Sequence, residues 1–424
     1  MRAPLLIFAV AAGVYAATLG ARAVGPSDNT HFVSLAQSYL QGQLAVLGDR
    51  PPGSNDWAQY NGHWYVVFPP LPAVVILPAV ALWQEHTWDR LFWAIFAGFG
   101  PACLYVLLRH LREHAASGRA ARDDLTLTVL FAFGSVYYYA SVQGTVWFAA
   151  HVVATPLIAL YALFSLGARR PWLAGLALGL AGLTRPTTLY LAPLFVIEAL
   201  SAARASAPTA QAGLGVFGFL RRVHWPRALR SGLCFALPVL ALVAVSCWLN
   251  WQRFGDPFEV GYRFLRIRWT GRIDKWGLFN YHYFAKNLAV FLAALPWLSN
   301  SAPYIMVSRH GLALWVTTPH YVTLLWPRRL NVLTVGLTVA ALCVAVIDLC
   351  YQNSGWVQFG YRFSLDYSVL LFALLALGAR PFGVGFYALL VWAIAINTFG
   401  AVTFDRDLRF YDRDPTQQVI FQPD

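Results

Sequence analysis

The chain has 424 residues, of which 58% are hydrophobic and only 12% charged. Soluble globular chains carry about 25% charged residues, so this composition excludes one and indicates an all-α polytopic membrane protein. The formal net charge of +12 is no nucleic-acid signal, because the arginines gather in short segments between apolar runs and so track membrane topology.

Met1-Arg2 is short and basic, which predicts a cytoplasmic N-terminus. Pro4–Leu19 lacks a small-residue cleavage site and reads as a first anchor. Residues 20–90 then form a first external loop. It opens with a carboxylate, Asp28, followed by an amphipathic helix with Phe32, Leu35, Ala36, Tyr39 and Leu40 on one stripe. Asp49 and Asp56 lie in a turn-rich stretch and read as turn formers. Tyr60–Tyr65 is hairpin-like, with Asn61-Gly62 at its tip.

The apolar run Phe68–Trp83 decides the topology. It carries Pro69, Pro70, Pro72 and Pro78 and is shorter than the ~20 residues a span needs. If it crossed, every later arginine-rich loop would fall outside, against the positive-inside rule. It is therefore expected to be a juxtamembrane or re-entrant helix within the first loop.

The rest then reads as spans at Leu91–Leu108, Leu125–Ser141, Phe148–Gly167, Trp172–Thr184, Thr187–Leu200, Ser231–Trp251, Gly311–Trp326, Asn331–Tyr351, Ser368–Ala379 and Gly383–Val402. With the first anchor this gives about eleven, in a single transmembrane domain covering 1–424. Basic segments such as Arg109–Arg122, Arg169-Arg170, Arg328-Arg329 and Arg380 fall inside. A second external loop occupies 252–310 and a short external tail 403–424. The five cysteines lie in or beside apolar runs without metal-ligand spacing and read as small buried hydrophobes.

Three places can carry chemistry. Asp28, at the outer membrane surface, could accept a proton from an incoming hydroxyl, or could simply cap the following helix. In the second loop, Arg263, Arg266, Arg268, Arg272, Lys275 and Lys286 interleave with Trp269, Trp276, Tyr281 and Tyr283. Such groups bind phosphate and stack on sugars, or hold an interfacial helix on anionic lipid. Late in the chain, Tyr361-Arg362 lies just outside the membrane with Asp366 nearby; Arg362 could hold a phosphate or snorkel to the interface. His31, His63, His282 and His310 are external by this topology, with no metal-ligand spacing between them.

Taken together, several stretches resemble a known family. They are Asp28 with HFVSLAQSYLQGQL, then YVVFPPLP at Tyr65–Pro72, Gly182-Leu183-Thr184-Arg185-Pro186, NWQRFGDPFEVG at Asn250–Gly261, and Gly360-Tyr361-Arg362. The pattern is similar to the GT-C glycosyltransferases, membrane enzymes that use polyprenyl-phosphate sugars. It is most similar to the bacterial branch of protein O-mannosyltransferases and the lipid A aminoarabinose transferase.

The resemblance implies a GT-C-like helix bundle in the cytoplasmic (inner) membrane, with juxtamembrane helices in the first loop and the active site on the external, periplasmic side. It implies Asp28 as the base that activates the acceptor and Arg362 beside the donor phosphate; the basic stretch of the second loop adds Arg266, Arg268, Arg272 and Lys275 as further candidates for the phosphate. His31, His63, Tyr65 and Tyr361 are the candidates for the sugar and acceptor pocket. The expected partners are a polyprenyl-phosphate sugar donor, a glycan, lipid or protein acceptor, and the bilayer. No cofactor, metal or nucleic acid is expected. Many relatives have a second acidic residue beside the first, where this chain has Asn29. Two other readings remain: a transporter or flippase of a lipid-linked or anionic substrate, and a polymerase or ligase using a lipid-diphosphate donor.

Overall fold

The computed structural model describes residues 2–411 except 52, 115, 205–215, 268 and 329. The chain begins with helix α1 (Arg2–Leu19). The first loop follows, with α2 (His31–Leu40), the antiparallel hairpin β1 (Trp57–Tyr60) and β2 (His63–Val66), and α3 (Leu71–Trp83). The middle of the chain holds α4 (Asp89–Phe96), α5 (Phe99–Glu113), α6 (Ala121–Phe133), α7 (Tyr137–Ser141), α8 (Val146–Ser165), α9 (Pro171–Gly182), α10 (Pro193–Ala202), α11 (Val216–Arg221) and α12 (Trp225–Phe254). The second loop carries α13 (Thr270–Trp276), α14 (Phe284–Ala293), a two-residue hairpin β3 (Trp297–Leu298) and β4 (Ile305–Met306), and α15 (Leu314–Thr317). The chain closes with α16 (Val332–Leu349), α17 (Ser368–Leu377) and α18 (Val384–Thr403).

Among the described residues, six helical stretches are long and apolar enough to cross a membrane: Arg2–Ala23, Asp89–Glu113, Val146–Ala168, Trp225–Phe254, Val332–Leu349 and Val384–Thr403. The protein is an integral, multi-pass membrane protein. Its α12 presents Leu229, Leu233, Leu237 and Leu240 as an exposed stripe at helical spacing, a surface that only lipid tails can cover. The other five expected spans are shorter or broken. The run Leu125–Ser141 stops at Gly134 and resumes as α7, and the stretch Thr187–Leu200 opens as a 3-10 turn at Pro186–Leu191 before α10. Gly311–Trp326 is α15 plus a 3-10 turn at Pro319–Leu325, whereas α9 and α17 are regular but have only 12 and 10 residues. Proline has no N–H to donate to the preceding turn, and Pro186 and Pro319 stand at the start of new turns. Helix α3 has 13 residues, about 20 Å, and is too short to span.

One large core runs through the bundle, with Tyr137, Tyr161, Leu178, Phe195, Leu337 and Phe372 at its centre. Close helix approach depends on two glycines. A Cβ at Gly175 would overlap the Phe235 carbonyl, and one at Gly179 would overlap Leu242, so α9 and α12 touch backbone to side chain. The first loop has its own core. Phe32, Leu35, Trp57, Val66, Ile76 and Val80 pack together and onto Val146, Ala149 and Val153 of α8. That core seats the loop on the bundle rather than leaving it in solvent. The second loop then clamps the hairpin: Ala58 bridges Leu265, and Arg266 N donates to Trp57 O at 3.1 Å.

Candidate active site

The first loop turns at its start around one buried carboxylate. Asp89, at the beginning of α4, accepts from Ser27 N (2.7 Å) and Ser27 Oγ (2.6 Å). Its neighbour Arg90 donates from Nη1 to Pro26 O at 3.2 Å and from Nη2 to Asp28 Oδ2 at 2.8 Å. Arg90 lies against Gly144, whose φ of +76° only glycine adopts without strain and where a Cβ would strike Arg90. Asp28 does not cap α2. The helix begins at His31 after Thr30, with no side-chain cap.

The far end of the loop folds back over the same place. His31 Nε2 meets Asn55 O at 2.8 Å, and its ring stacks on Trp57 with centroids 4.0 Å apart. Burial pushes this imidazole down to about 4, so it is neutral at physiological pH. Asn55 N donates to Asn29 Oδ1 at 3.3 Å. The next residue, Asp56, takes a left-handed φ of +66°. Its carboxylate accepts from Trp147 Nε1 at 2.8 Å. Burial pushes the Asp56 carboxyl up to about 6, against the opposing pull of the Trp147 hydrogen bond and the Arg362 charge.

Asp28 and Asp56 both line a cavity of about 380 Å³ between the first loop, the second loop and the ends of the bundle helices. Its wall also carries three guanidinium groups, Arg185, Arg309 and Arg362. Arg362 follows the Gln358-Phe359-Gly360-Tyr361 stretch, and its backbone N–H donates to Gln358 Oε1 at 2.9 Å. Its guanidinium lies over Phe148 and Phe363, 5.0 and 5.5 Å from the ring centres, and donates from Nη1 to Val357 O at 3.3 Å. Nε is buried without a hydrogen-bond partner. A buried cation held by ring faces and one carbonyl keeps donor capacity for an anion.

Arg185 is held differently. It forks onto Asp366, with Nε at 3.1 and 3.0 Å from the two carboxylate oxygens and Nη2 at 2.7 Å from Oδ2. Asp366 also accepts from Thr187 Oγ1 at 2.8 Å and meets His151 Nδ1 at 3.0 Å. Burial pushes this carboxyl up, but Arg185 and His151 outweigh burial and hold it below the usual carboxylate range. The site therefore sets exposed and buried carboxylates opposite fixed cations, an arrangement that can take a proton from one group and stabilise negative charge on another.

Among solved structures, the chain is similar to ArnT from Cupriavidus metallidurans bound to undecaprenyl phosphate, with a TM-score of 0.52 and 14% identity over 92% of this chain and 62% of that one. The chain has the GT-C fold. It is also similar, with a TM-score of 0.46 and 12% identity, to the archaeal oligosaccharyltransferase AglB from Archaeoglobus fulgidus in complex with an inhibitory peptide and a dolichol-phosphate, over 98% of this chain and 57% of that one. The chain thus spans about three fifths of the length of these proteins. No family model and no curated protein sequence matches it.

On this GT-C bundle the residues singled out from the sequence separate into groups. Asp28 and Arg362 line the cavity. Tyr361 is buried with its ring 5.2 Å from Phe291, and His31 sits behind the wall holding Asn55. Neither is on the cavity surface. Arg266 donates to Gln59 Oε1 at 3.2 Å on the outer side of the hairpin, while its neighbours Leu265 and Ile267 face the cavity. Arg272 is buried and donates to Oε1 of the cavity-lining Gln352 at 2.9 Å. Lys275 is exposed, with its ammonium over the Trp276 ring. His63 is exposed near the hairpin tip, and Tyr65 packs its ring on Phe254, 5.4 Å away. Arg268 lies outside the described residues. Sequence reasoning passed over Asp56, Arg185, Arg309 and Trp147. Arg185 already stood inside a stretch that carried the family resemblance, and Asp56 was set aside because its neighbours read only as a turn.

Proposed function

We propose that the protein is an inverting membrane glycosyltransferase that moves a sugar from a polyprenyl-phosphate donor to an acceptor hydroxyl. The cavity face is taken as the outer, periplasmic face of the cytoplasmic membrane, which the arginine-rich loops at the opposite end support. The observation that carries the reading is a cavity of a GT-C bundle whose lining holds both the exposed carboxylate of Asp28 and the buried guanidinium of Arg362. The bound undecaprenyl phosphate of ArnT supports a polyprenyl-phosphate ligand for this fold.

The residues suggest the following chemistry. An acceptor hydroxyl enters beside Asp28, which takes its proton as the oxygen attacks the anomeric carbon. The bond from that carbon to the phosphate oxygen breaks, and the electron pair leaves with the polyprenyl phosphate. Arg362, with Arg185 and Arg309 in the same wall, offsets the charge that grows on the leaving phosphate. Attack from the side opposite the leaving group inverts the anomeric centre. Asp56 and Asp405 line the same cavity; Asp405 is paired with Arg22 at 3.1 Å, and Asp56 is taken as the second carboxylate of the site. The sequence places Asn29 after Asp28, so the second acid comes from 28 positions later in the loop rather than from the adjacent residue.

The test is transfer or slow hydrolysis from a panel of polyprenyl-phosphate sugars in proteoliposomes, comparing wild type with Asp28→Asn. Turnover lost in Asp28→Asn with donor binding kept supports the reading. Equal turnover in both removes Asp28 as the base. Movement of lipid-linked sugar across the bilayer with no transfer replaces the enzyme by a transporter, and turnover of lipid-diphosphate donors alone replaces it by a polymerase or ligase.

A further inference from the structure

A second, larger cavity of about 740 Å³ lies elsewhere in the bundle, between α16, α17, α18 and the turn at Pro319–Leu325. The lining of this groove is mostly aliphatic and aromatic. Ala341, Leu375 and Tyr367 form buried parts of its wall, and Leu325, Leu330 and Leu342 are exposed at its edge. A groove of this kind in a membrane protein, open through exposed leucines, fills with hydrocarbon rather than water.

Three helices fix where its polar end lies. The C-terminal end of α16 leads to Tyr351, the N-terminal end of α17 follows Asp366 and Arg362, and the C-terminal end of α18 leads to Phe404 and Asp405. Arg362, Tyr351, Phe404 and Asp405 all line the first cavity. The opposite ends of the same helices carry Arg328, before α16, and Arg380, between α17 and α18, and both line the groove with Arg119. Helix α18, with 20 residues, separates the two ends by about 30 Å, the thickness of the hydrocarbon core. The groove therefore has its cations at the membrane face away from the first cavity.

These cations are not equivalent. Arg119 is consumed by the fold: it donates to Leu375 O (2.8 Å), Ala376 O (3.0 Å) and Arg380 O (2.6 Å), and so caps α17. Arg380 donates to Trp326 O, but its Nε is buried with no hydrogen-bond partner. Arg328 is exposed at the groove mouth. Of the acids on this side, Asp124 pairs with Arg112 at 2.6 Å, Asp123 accepts from Ala120 N at 3.0 Å, Glu113 pairs with Arg109 and Glu198 accepts from Gly167 N; Asp123 and Asp124 also act on Arg119, the groove cation that the fold already uses. Among the described residues, no carboxylate lines the groove.

We propose that this groove binds an anionic glycerophospholipid of the leaflet opposite the first cavity, with an acyl chain between α16, α17 and α18 and the phosphate at Arg328 and Arg380. Charge complementarity selects this occupant. An apolar slot ending in two available guanidiniums suits an acyl chain with a phosphate at its end, and basic pockets between membrane helices hold anionic head groups. A polyprenyl donor with its phosphate in the first cavity would bring its own charge to the other end of the bundle.

The experiment is native mass spectrometry of the full chain titrated with phosphatidylglycerol or phosphatidylcholine of identical acyl chains. Wild type should retain phosphatidylglycerol in preference by roughly thirtyfold, the value expected for two arginines near a lipid phosphate. Arg328→Gln with Arg380→Gln should bring the two lipids to within a few-fold of each other. Ala345→Trp, which fills the groove and leaves both arginines in place, should lower retention of both lipids. An unchanged thermal unfolding midpoint shows that each variant folds. Equal retention of the two lipids by wild type, retention of the preference in the double glutamine variant, or displacement of the bound lipid by polyprenyl phosphate would each overturn the proposal.

Discussion

Arg90 and Asp28 share a 2.8 Å ion pair, yet the Arg90 side chain is 10% exposed and that of Asp28 is 75% exposed. The cation belongs to the fold and the carboxylate belongs to the cavity. Arg90 holds Oδ2 of Asp28, and the Asp28 carboxylate lines the cavity. Gly144 makes room for that cation. Gly144→Ala is expected to move Arg90 and to destabilise the fold by about 1–3 kcal/mol, through positive φ and overlap together. The rate of sugar transfer should fall more steeply than stability. Thermal unfolding and transfer assays on the same preparation test this, and a stable variant with unchanged rate would separate Arg90 from Asp28's function.

Asp56 should give the protein a pH signature. Its carboxyl rises from the ordinary 3.8 to about 6 in the folded state. Between about pH 4 and 6 the folded chain holds a proton that the unfolded chain has released. Folding therefore takes up a proton, and the Asp56 contribution to stability falls as pH rises through that window. The loss amounts to at most about 3 kcal/mol. Asp56→Asn should be the more stable protein at pH 7, with the difference vanishing below about pH 4. Unfolding midpoints of the two proteins across pH test this.

The hydrogen bond from Trp147 favours the ionised form of Asp56. In Trp147→Phe that contribution is lost, and the Asp56 carboxyl should rise by about one further pH unit. If the ionised carboxylate is the active form, the acid limb of the rate profile should move to higher pH by the same amount. An unmoved limb would assign it to another group.

Arg362 should tolerate neither loss nor simple replacement of its charge. Its flat guanidinium lies over Phe148 and Phe363, which a lysine ammonium cannot match. Arg362→Lys is expected to lower the transfer rate by about 10²-fold and Arg362→Gln by about 10³-fold, with smaller changes in donor binding. Equal rates for wild type and Arg362→Lys would show that a point charge suffices.

Removing Asp366 takes from Arg185 the carboxylate that it forks onto. Asp366→Asn should cost about 3 kcal/mol of stability. Replacing both partners, Asp366→Leu with Arg185→Leu, should cost less than the single change, because the stranded guanidinium is removed with its carboxylate. Calorimetric or fluorescence unfolding of the three proteins decides between an ion pair that mainly stabilises the fold and one that mainly fixes Arg185 at the cavity wall.

Much of this arrangement is readable in the chain. The prolines and length of Phe68–Trp83 imply a helix too short to cross, and α3 is one. The isolated Asp28 and the late Arg362 stand out because charges are rare here, and both reach the cavity. Only six of the roughly eleven expected spans are helical stretches long enough to cross, because hydropathy registers apolar length and misses breaks within it. Gly134, Pro186 and Pro319 interrupt runs whose composition is continuous. The basic stretch of the second loop was read as one group, but its residues face different ways. Leu265, Ile267 and Trp269 turn to the cavity, while Arg266 turns outward and Arg272 turns into the loop. Residue spacing could not reveal this, since the segment is neither a regular helix nor a strand. Asp56 was legible only as a turn former. Its place in the wall depends on Trp147, which is 91 residues away.

Helix α12 has 30 residues and so measures about 45 Å, against a hydrocarbon slab of about 30 Å. Arginines stand near both ends, Arg227 and Arg230 at one and Arg253 at the other. Such a helix must lean in a thin bilayer and stand straighter in a thick one. Its last turn continues directly into Tyr262, Leu265 and Ile267 on the cavity wall, and Arg253 is tied to Val66 O of the hairpin at 2.8 Å. Bilayer thickness and the hairpin over the cavity thus act on the same helix, and the shape of the cavity is expected to depend on lipid chain length.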